Sequence, residues 1–445
     1  MTPAARLQAI LDLLEQIEAE PRPADALVST YFRARRYIGS KDRAAVSSTL
    51  YATLRHRARI DWWLTRVKTA VTPRARLIAY LALIEQKPAG VIDELFSGGK
   101  FAPAQLSPEE GKWLARLAGH TIDHPDMPDA VQGECPDWAA EGLSARFGKQ
   151  FLKEMQAMQT EAPLDLRVNS LKAERAEIVS ALKDMGLPAH ACRLSPWGVR
   201  VKARPNLSAM PMLKNGSVEI QDEGSQLVAL LVDAKPGERI VDFCAGAGGK
   251  TLAMAASMKN KGRIIACDVL AGRLKRSTER FRRAGVHNIE VRALSSEHDP
   301  WVKRHKGGFD RVLVDAPCSG TGTWRRNPDA RWKHLGPGLQ DLLVLQGRIL
   351  ASASRLVRPG GRLVYATCSL LPEENEKQID AFLKTAPDFA LLPCETVAGF
   401  LSPAAAGGML SLTPARHDTD GFFAAVLERK GQEKSPSTED ADMVK

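Results

Sequence analysis

From Arg239 onward, short apolar runs alternate with amphipathic stretches, and this alternation constrains the fold more than any other feature of the chain. Arg239-Ile-Val-Asp-Phe243, Gly262-Arg-Ile-Ile-Ala-Cys-Asp268, Ile289-Glu-Val-Arg292, Arg311-Val-Leu-Val314 and Gly361-Arg-Leu-Val-Tyr365 have the length and composition of buried strands. Helical patterns over 249–258, 270–284 and 340–356 separate them, and Gly421-Phe-Phe-Ala-Ala-Val-Leu-Glu428 adds a late strand. Repeated strand–helix units predict a doubly wound sheet. Ligands of such sheets gather beyond the carboxyl ends of the strands. Two of those ends carry cysteines, in Asp315-Ala-Pro-Cys318-Ser-Gly320 and in Tyr365-Ala-Thr-Cys368-Ser369. Two thiols and a carboxylate delivered together point to chemistry by a thiolate, a strong nucleophile near neutral pH.

The first strand of the series runs into a glycine turn, Val241-Asp-Phe-Cys-Ala-Gly246-Ala-Gly248-Gly249-Lys250-Thr251. Glycines let the backbone turn tightly and approach a ligand closely. Asp268 closes the next strand, where a carboxylate can hold ribose hydroxyls. The turn lacks G-x-G-x-x-G spacing and the complete phosphate-loop pattern. A nucleoside without a pyrophosphate fits it best.

At 445 residues the chain exceeds one ordinary core and is expected to form several domains. Residues 1–130 read as helices, with apolar faces over 5–18 and 24–36, a capped helix from Ser40 towards Trp63, and further helices over 73–86 and 108–119. Arg33, Arg35, Arg36, Lys41, Arg43, Arg55, Arg57 and Arg59 cluster there; a solvated helix face and a phosphate-binding face both accommodate such a cluster. Residues 121–136, rich in Pro, Asp and His, read as a linker. Residues 135–215 mix strands with a helix over 173–185, a small α+β unit, and 431–445 have a disordered composition. Lys plus Arg exceeds Asp plus Glu by 62 − 52 = 10, which favours a polyanionic partner. Seven cysteines without C-x-x-C pairing suit a reducing, cytoplasmic setting, and neither a metal centre nor a membrane span is expected.

These segments resemble the Fmu/Sun-type RNA cytosine-5 methyltransferases. The resemblance rests on Asp242-Phe-Cys-Ala-Gly-Ala-Gly-Gly-Lys-Thr251, Asp315-Ala-Pro-Cys-Ser-Gly-Thr-Gly322 and Ala366-Thr-Cys-Ser-Leu-Leu-Pro-Glu-Glu-Asn-Glu376. Arg167-Val-Asn169, Gln221-Asp-Glu-Gly-Ser225, Arg326-Asn-Pro-Asp329 with Trp332, and Asp420-Gly-Phe-Phe423 extend it over residues 135–430. Ser40-Lys-Asp-Arg43 and Leu54-Arg-His-Arg57 give the N-terminal helices a likeness to a NusB-type RNA-binding domain, a pairing typical of the bacterial branch acting on small-subunit ribosomal RNA.

The resemblance implies a multi-domain protein: a helical NusB-like domain (1–130), an α+β subdomain (135–215) and an α/β, Rossmann-like class I methyltransferase domain (216–430). That domain is expected to hold a seven-stranded, mainly parallel sheet. The implied cofactor is S-adenosylmethionine, wrapped by Cys244, Ala245, Gly246, Ala247, Gly248, Gly249 and Lys250, with Asp268 at its ribose and Asp315 between cofactor and base. The family's adenine-side Asp is replaced by Ser295, leaving Ser295, Ser296 or Glu297 to serve. The implied reaction is 5-methylation of cytosine in RNA by a cytoplasmic monomer, with small-subunit ribosomal RNA as substrate. Transfer RNA is the rival substrate, and a non-catalytic assembly factor the rival class. The residue types alone leave open which thiol attacks; the resemblance makes Cys368 the nucleophile and Cys318 its helper in product release, with Asp315 and Lys250 assisting. Arg325, Arg326 and Arg331 are expected to hold phosphates near the site.

Overall fold

A computed structural model describes residues 1–202, 207, 210–333 and 335–431; the expected tail lies almost wholly outside them. The chain divides into two compact units. One comprises Met1–Glu161 together with Thr323–Gly338, the other Ala162–Gly322 with Leu339–Lys445. No helix among the described residues is long and apolar enough to cross a membrane.

The first unit is helical. Helices Pro3–Ala19, Ala24–Ala34, Ser40–Arg55, Arg57–Arg66 and Pro73–Leu83 bury Leu13, Leu27, Leu50, Ile60, Leu77 and Ile78 in a shared core. Their apolar residues recur at helical spacing, so each helix gains stability chiefly by covering its neighbours. The helix from Ser40 breaks at His56, and its N-cap is Gly39, not a side chain of the Ser40-Lys-Asp-Arg43 segment. Asp42 instead pairs with Arg6 at 2.7 Å.

The stretch over 121–136 is no loose connector. Glu134 is fully buried, accepting from the Ala58 amide (2.6 Å) and from Arg59 Nε (3.0 Å). Arg59 also donates to Asp123 and Gln159, which carries the helical unit on to Glu161. A buried cation with each donor satisfied is a structural bracket. Arg55 is buried as well, so the basic cluster divides: Arg33, Arg36 and Lys41 are exposed, while Arg55 and Arg59 lie inside.

The second unit contains two sheets. Strands β1 (Leu164–Val168), β2 (Ala189–Ala191), β3 (Gly198–Val201) and β4 (Val218–Ile220) form an antiparallel sheet in the order β2-β3-β1-β4. Helix Arg175–Asp184 packs on it through Ile178 and Leu182. The large sheet takes β5 (Arg239–Asp242), β6 (Arg263–Asp268), β7 (Ile289–Ala293), β8 (Phe309–Asp315) and β9 (Val357–Thr367) in the parallel order β7-β6-β5-β8-β9. Beyond β9 come β13 (Phe422–Arg429), antiparallel to it, and β10 (Phe389–Leu392) on the far side of β13. These seven strands are the expected class I methyltransferase sheet. It is enlarged to nine by the hairpin β11 (Ala405–Ala406) and β12 (Met409–Leu412), which shares the outer edge of β13 with β10. Chain order reverses between β5 and β8, which opens a crevice at their carboxyl ends.

Candidate active site

The turn after β5 is built for close approach. Gly246 and Gly248 have φ of 56° and 78°, a left-handed region that glycine enters freely. A Cβ at Gly248 would also strike the Phe281 ring of helix Ala271–Ala284, so another residue there would have to push that ring aside. Asp268, ending β6, accepts from the Gly246 amide (2.8 Å) and the Leu270 amide (2.7 Å), bracing the turn from below. Asp242, ending β5, accepts from Thr251 Oγ1 at 2.6 Å, while its Oδ1 is buried with no partner among the described residues. Burial, reinforced by Asp315, pushes the Asp242 carboxyl up to about 7. Asp242 was not singled out as a site residue from sequence; it read as part of the strand Arg239–Phe243 and of the glycine-turn motif.

Lys250, in the first turn of helix Gly249–Ser257, reaches the end of β8 and donates to Asp315 Oδ2 at 2.6 Å. Its ammonium stands 5.4 Å from the centre of the Phe422 ring. Burial pulls its proton affinity down, but Asp315 and then Cys368 more than offset this, so Lys250 remains charged.

The two cysteines meet. Cys318 Sγ lies 3.4 Å from Cys368 Sγ. The shared hydrogen bond, then burial, holds the Cys318 thiol far above its ordinary range, so Cys318 keeps its proton. The other five thiols are held protonated by burial: Cys135 and Cys394 are pushed up to about 12, and Cys192, Cys244 and Cys267 are also raised. None competes as a nucleophile.

A buried polar network clamps the two cysteine loops together, and sequence reasoning missed it. Glu374, fully buried, accepts from the Ser319 amide at 2.8 Å, from Gln346 Nε2 at 2.9 Å and from the Ser319 hydroxyl. The Gly322 amide donates to Cys368 O (2.9 Å), and the Leu370 amide to Thr321 Oγ1 (2.7 Å). Asn375 accepts from Thr367 Oγ1 and donates to Ser369 O. Buried networks of this kind rigidify their surroundings, although Gln346 Oε1 has no partner among the described residues. Glu374 stands in a run of acidic and amide residues, where nothing in the pattern distinguishes the clamp from its solvated neighbours.

The remaining family-like segments brace the same crevice. Arg167 donates to Gly249 O (2.5 Å) and Gln221 Oε1 (2.6 Å), tying the small sheet to the start of the cofactor-loop helix. Asp222 accepts from the Asp420 amide (3.1 Å), and the Gly421 amide donates to Gly322 O (2.8 Å). A Cβ at Gly322 would collide with the Gly421 backbone, which explains the two glycines.

Two expectations take a different shape. Arg325 and Arg331 are buried in the helical unit and so do not offer guanidinium groups to a phosphate. Arg331 donates instead to Glu134 O (3.1 Å) and Met158 O (2.7 Å). Arg326, half-buried, belongs to the same unit. After β7, both the Ser295 amide and its hydroxyl donate to Asp299 Oδ2, at 2.9 and 3.0 Å, while Glu297 is paired with Arg348 at 3.0 Å. A carboxylate thus attends Ser295 from four residues downstream. Asp165, Cys192 and Glu223 group closely enough to suggest a metal site, but Arg200 lies 2.7 Å from Asp165 and 3.5 Å from Glu223 and supplies the positive charge.

Residues 229–428 match the family model described as 16S rRNA methyltransferase RsmB/F, and 135–208 match its ferredoxin-like domain. The chain is 35% identical over 328 residues to a probable ribosomal RNA small subunit methyltransferase B of Synechocystis, covering 73% of this chain and 72% of that protein. It is 32% identical to ribosomal RNA small subunit methyltransferase B of Sodalis glossinidius, covering 89% and 92%. Among solved structures it is similar to PH0851, with a TM-score of 0.78 at 27% identity, covering 96% of this chain and 99% of that one.

Proposed function

The chain belongs to the 16S rRNA methyltransferase RsmB/F family, and from that premise we propose that it methylates carbon 5 of a cytosine in small-subunit ribosomal RNA through a covalent adduct on Cys368. The observation that carries this reading is the thiol pair at 3.4 Å beside the Lys250–Asp315 ion pair. S-adenosylmethionine, the cofactor of this family, supplies an electrophilic methyl group when bound. The crevice suits it: glycines at positive φ allow close approach, and the partnerless Oδ1 of Asp242 is an acceptor for an ammonium. Cys244 to Lys250 would surround it, with Asp268 at the ribose.

Carbon 5 of cytosine is a poor nucleophile. Addition of the Cys368 thiolate to carbon 6 forms an S–C6 bond and shifts electron density to carbon 5, while ring nitrogen 3 takes a proton from the Asp315–Lys250 pair. Carbon 5 can then accept the methyl group. Finally the carbon 5 proton must leave and the S–C6 bond must break, releasing Cys368 as thiolate. Proton bookkeeping favours Cys318 as the base for this step. The strongest influence keeping Cys318 protonated is its hydrogen bond to Cys368, and that influence disappears once the Cys368 sulfur is alkylated. Burial still disfavours its ionisation, so Cys318 must first pass its own proton to solvent before it collects the carbon 5 proton, and ring nitrogen 3 returns its proton to the Asp315–Lys250 pair as Cys368 leaves. The target base must leave its stack to enter such a pocket. Exposed Arg33, Arg36 and Lys41 are available for phosphates, in keeping with a cytoplasmic, RNA-directed enzyme.

Bisulfite sequencing of ribosomal and transfer RNA, from cells with and without the protein, tests the reaction and the substrate together. One small-subunit cytosine should lose its methylation. An unchanged map would sink the proposal; a lost transfer-RNA site would redirect it.

Cofactor affinity should carry the mark of Asp242. Its carboxyl is protonated below about 7, and an ammonium prefers the ionised form. Affinity for S-adenosylmethionine should therefore rise about tenfold between pH 6 and 8, measured by calorimetry. Asp242→Asn should bind weakly and flatten the profile. A flat wild-type profile would remove Asp242 from the binding site.

A further inference from the structure

The helical unit encloses a cavity of about 330 Å³, lined by Glu18, Leu54, Arg57, Arg76, Trp332 and Lys333 among others. It lies in the unit that the proposed chemistry does not use. Its charges are unevenly matched. Arg76 occupies both nearby acids, donating to Asp61 Oδ1 (2.6 Å) and Oδ2 (3.0 Å) and to Glu18. Arg57, on the next helix, is left with Asp61 at 3.6 Å and Glu18 at 3.9 Å, and its guanidinium stands 5.8 Å from the Trp332 ring centre. Lys333 donates to the carbonyls of Ile17 and Glu20 at the end of the first helix; among the described residues no carboxylate lies within ion-pair distance of it, although Asp329 and Glu20 act on its charge from further away. Asp329 is also engaged, accepting from the Ala24 amide at 2.9 Å. The cavity therefore offers a half-buried indole wall, a loosely paired guanidinium and a second cation.

We propose that this cavity binds one unstacked nucleotide of the RNA, its base against Trp332 and its phosphate on Arg57. The inference rests on the RNA substrate proposed above. Volume supports it, because about 330 Å³ is at the small end of ligand sites and excludes a helix or a duplex. Chemistry supports it too: an aromatic face for a base beside a guanidinium for a phosphate is how single-stranded nucleic acid is held. A bare anion would have no use for the indole. Trp332 and Asp329 also belong to the family-like Arg326-Asn-Pro-Asp329…Trp332 segment, which this placement explains.

The test uses the full-length protein and a small-subunit ribosomal RNA transcript. Arg57→Gln should raise the RNA Kd about five- to tenfold and reduce the salt slope by about one ion. Trp332→Ala should raise Kd at least about fivefold, whereas Trp332→Phe, which keeps a stacking face, should stay within about twofold of wild type. KM for RNA should follow Kd, with kcat and S-adenosylmethionine affinity unchanged. Arg57 is partly exposed and abuts the like-charged Arg76, so its replacement does not threaten folding even if Trp332→Ala does. Wild-type RNA affinity in both Arg57→Gln and Trp332→Ala would overturn the inference, as would an Arg57→Gln loss that Trp332→Ala, still binding cofactor normally, does not share. A wild-type protein that neither binds nor methylates the transcript would instead refute the functional reading beneath it.

Discussion

Cys368→Ala is expected to lower kcat for RNA methylation by at least about 10⁴-fold while leaving S-adenosylmethionine affinity unchanged, because removing a nucleophile abolishes the covalent route. Cys318→Ala should behave differently. Cys368 would still add to carbon 6 and the methyl group would still transfer, but the carbon 5 proton would lack its acceptor. The enzyme should then accumulate as a protein–RNA adduct that survives denaturing electrophoresis. The geometry makes this contrast sharp: the two sulfurs are in contact at 3.4 Å, so a base brought against one lies close to the other and position alone does not choose the nucleophile. Either sulfur can be the donor in the hydrogen bond they share, so the two variants, and not the resting geometry, decide the order proposed above. A stable adduct in Cys368→Ala, with none in Cys318→Ala, would reverse the roles.

Lys250→Met should cost about 10²- to 10³-fold in single-turnover rate, the range seen when one preorganised electrostatic contact is removed from an active site. The ammonium is nearly inaccessible, its side chain 11% exposed, and Asp315 Oδ2 lies 2.6 Å away. Without it, the Asp315 carboxylate would lose its paired cation. Lys250→Arg, which keeps a cation beside Asp315, should recover part of the rate. An unchanged rate in Lys250→Met would remove this residue from the chemistry.

The braces around these groups explain why the site tolerates such close placement of thiols and charges. Glu374 fastens Ser319 and Gln346 beneath Cys318, and Thr321 with Ser369 closes the gap to the Cys368 loop. A site held by buried, hydrogen-bonded polar groups keeps its geometry before substrate arrives, which is the condition for electrostatic preorganisation.

By itself the sequence determined the alternating strand–helix order, hence the doubly wound sheet, and it placed Cys318, Cys368, Asp315 and the glycine turn at strand ends. Those features are local: a strand's apolar run, a glycine's freedom at positive φ and a residue's place after a strand are written in consecutive positions. Only the tertiary structure decided what depended on distant partners. The burial of Arg55, Arg59 and Arg331, the clamp at Glu374, the orphaned oxygen of Asp242 and the carboxylate that Asp299 brings to Ser295 all join segments far apart or beyond the reach of a periodic pattern. An arginine's letter is the same on a solvated face and inside a core. What distinguishes the two is whether carbonyls and carboxylates from elsewhere in the chain arrive to satisfy it, and that is settled only when the chain has folded.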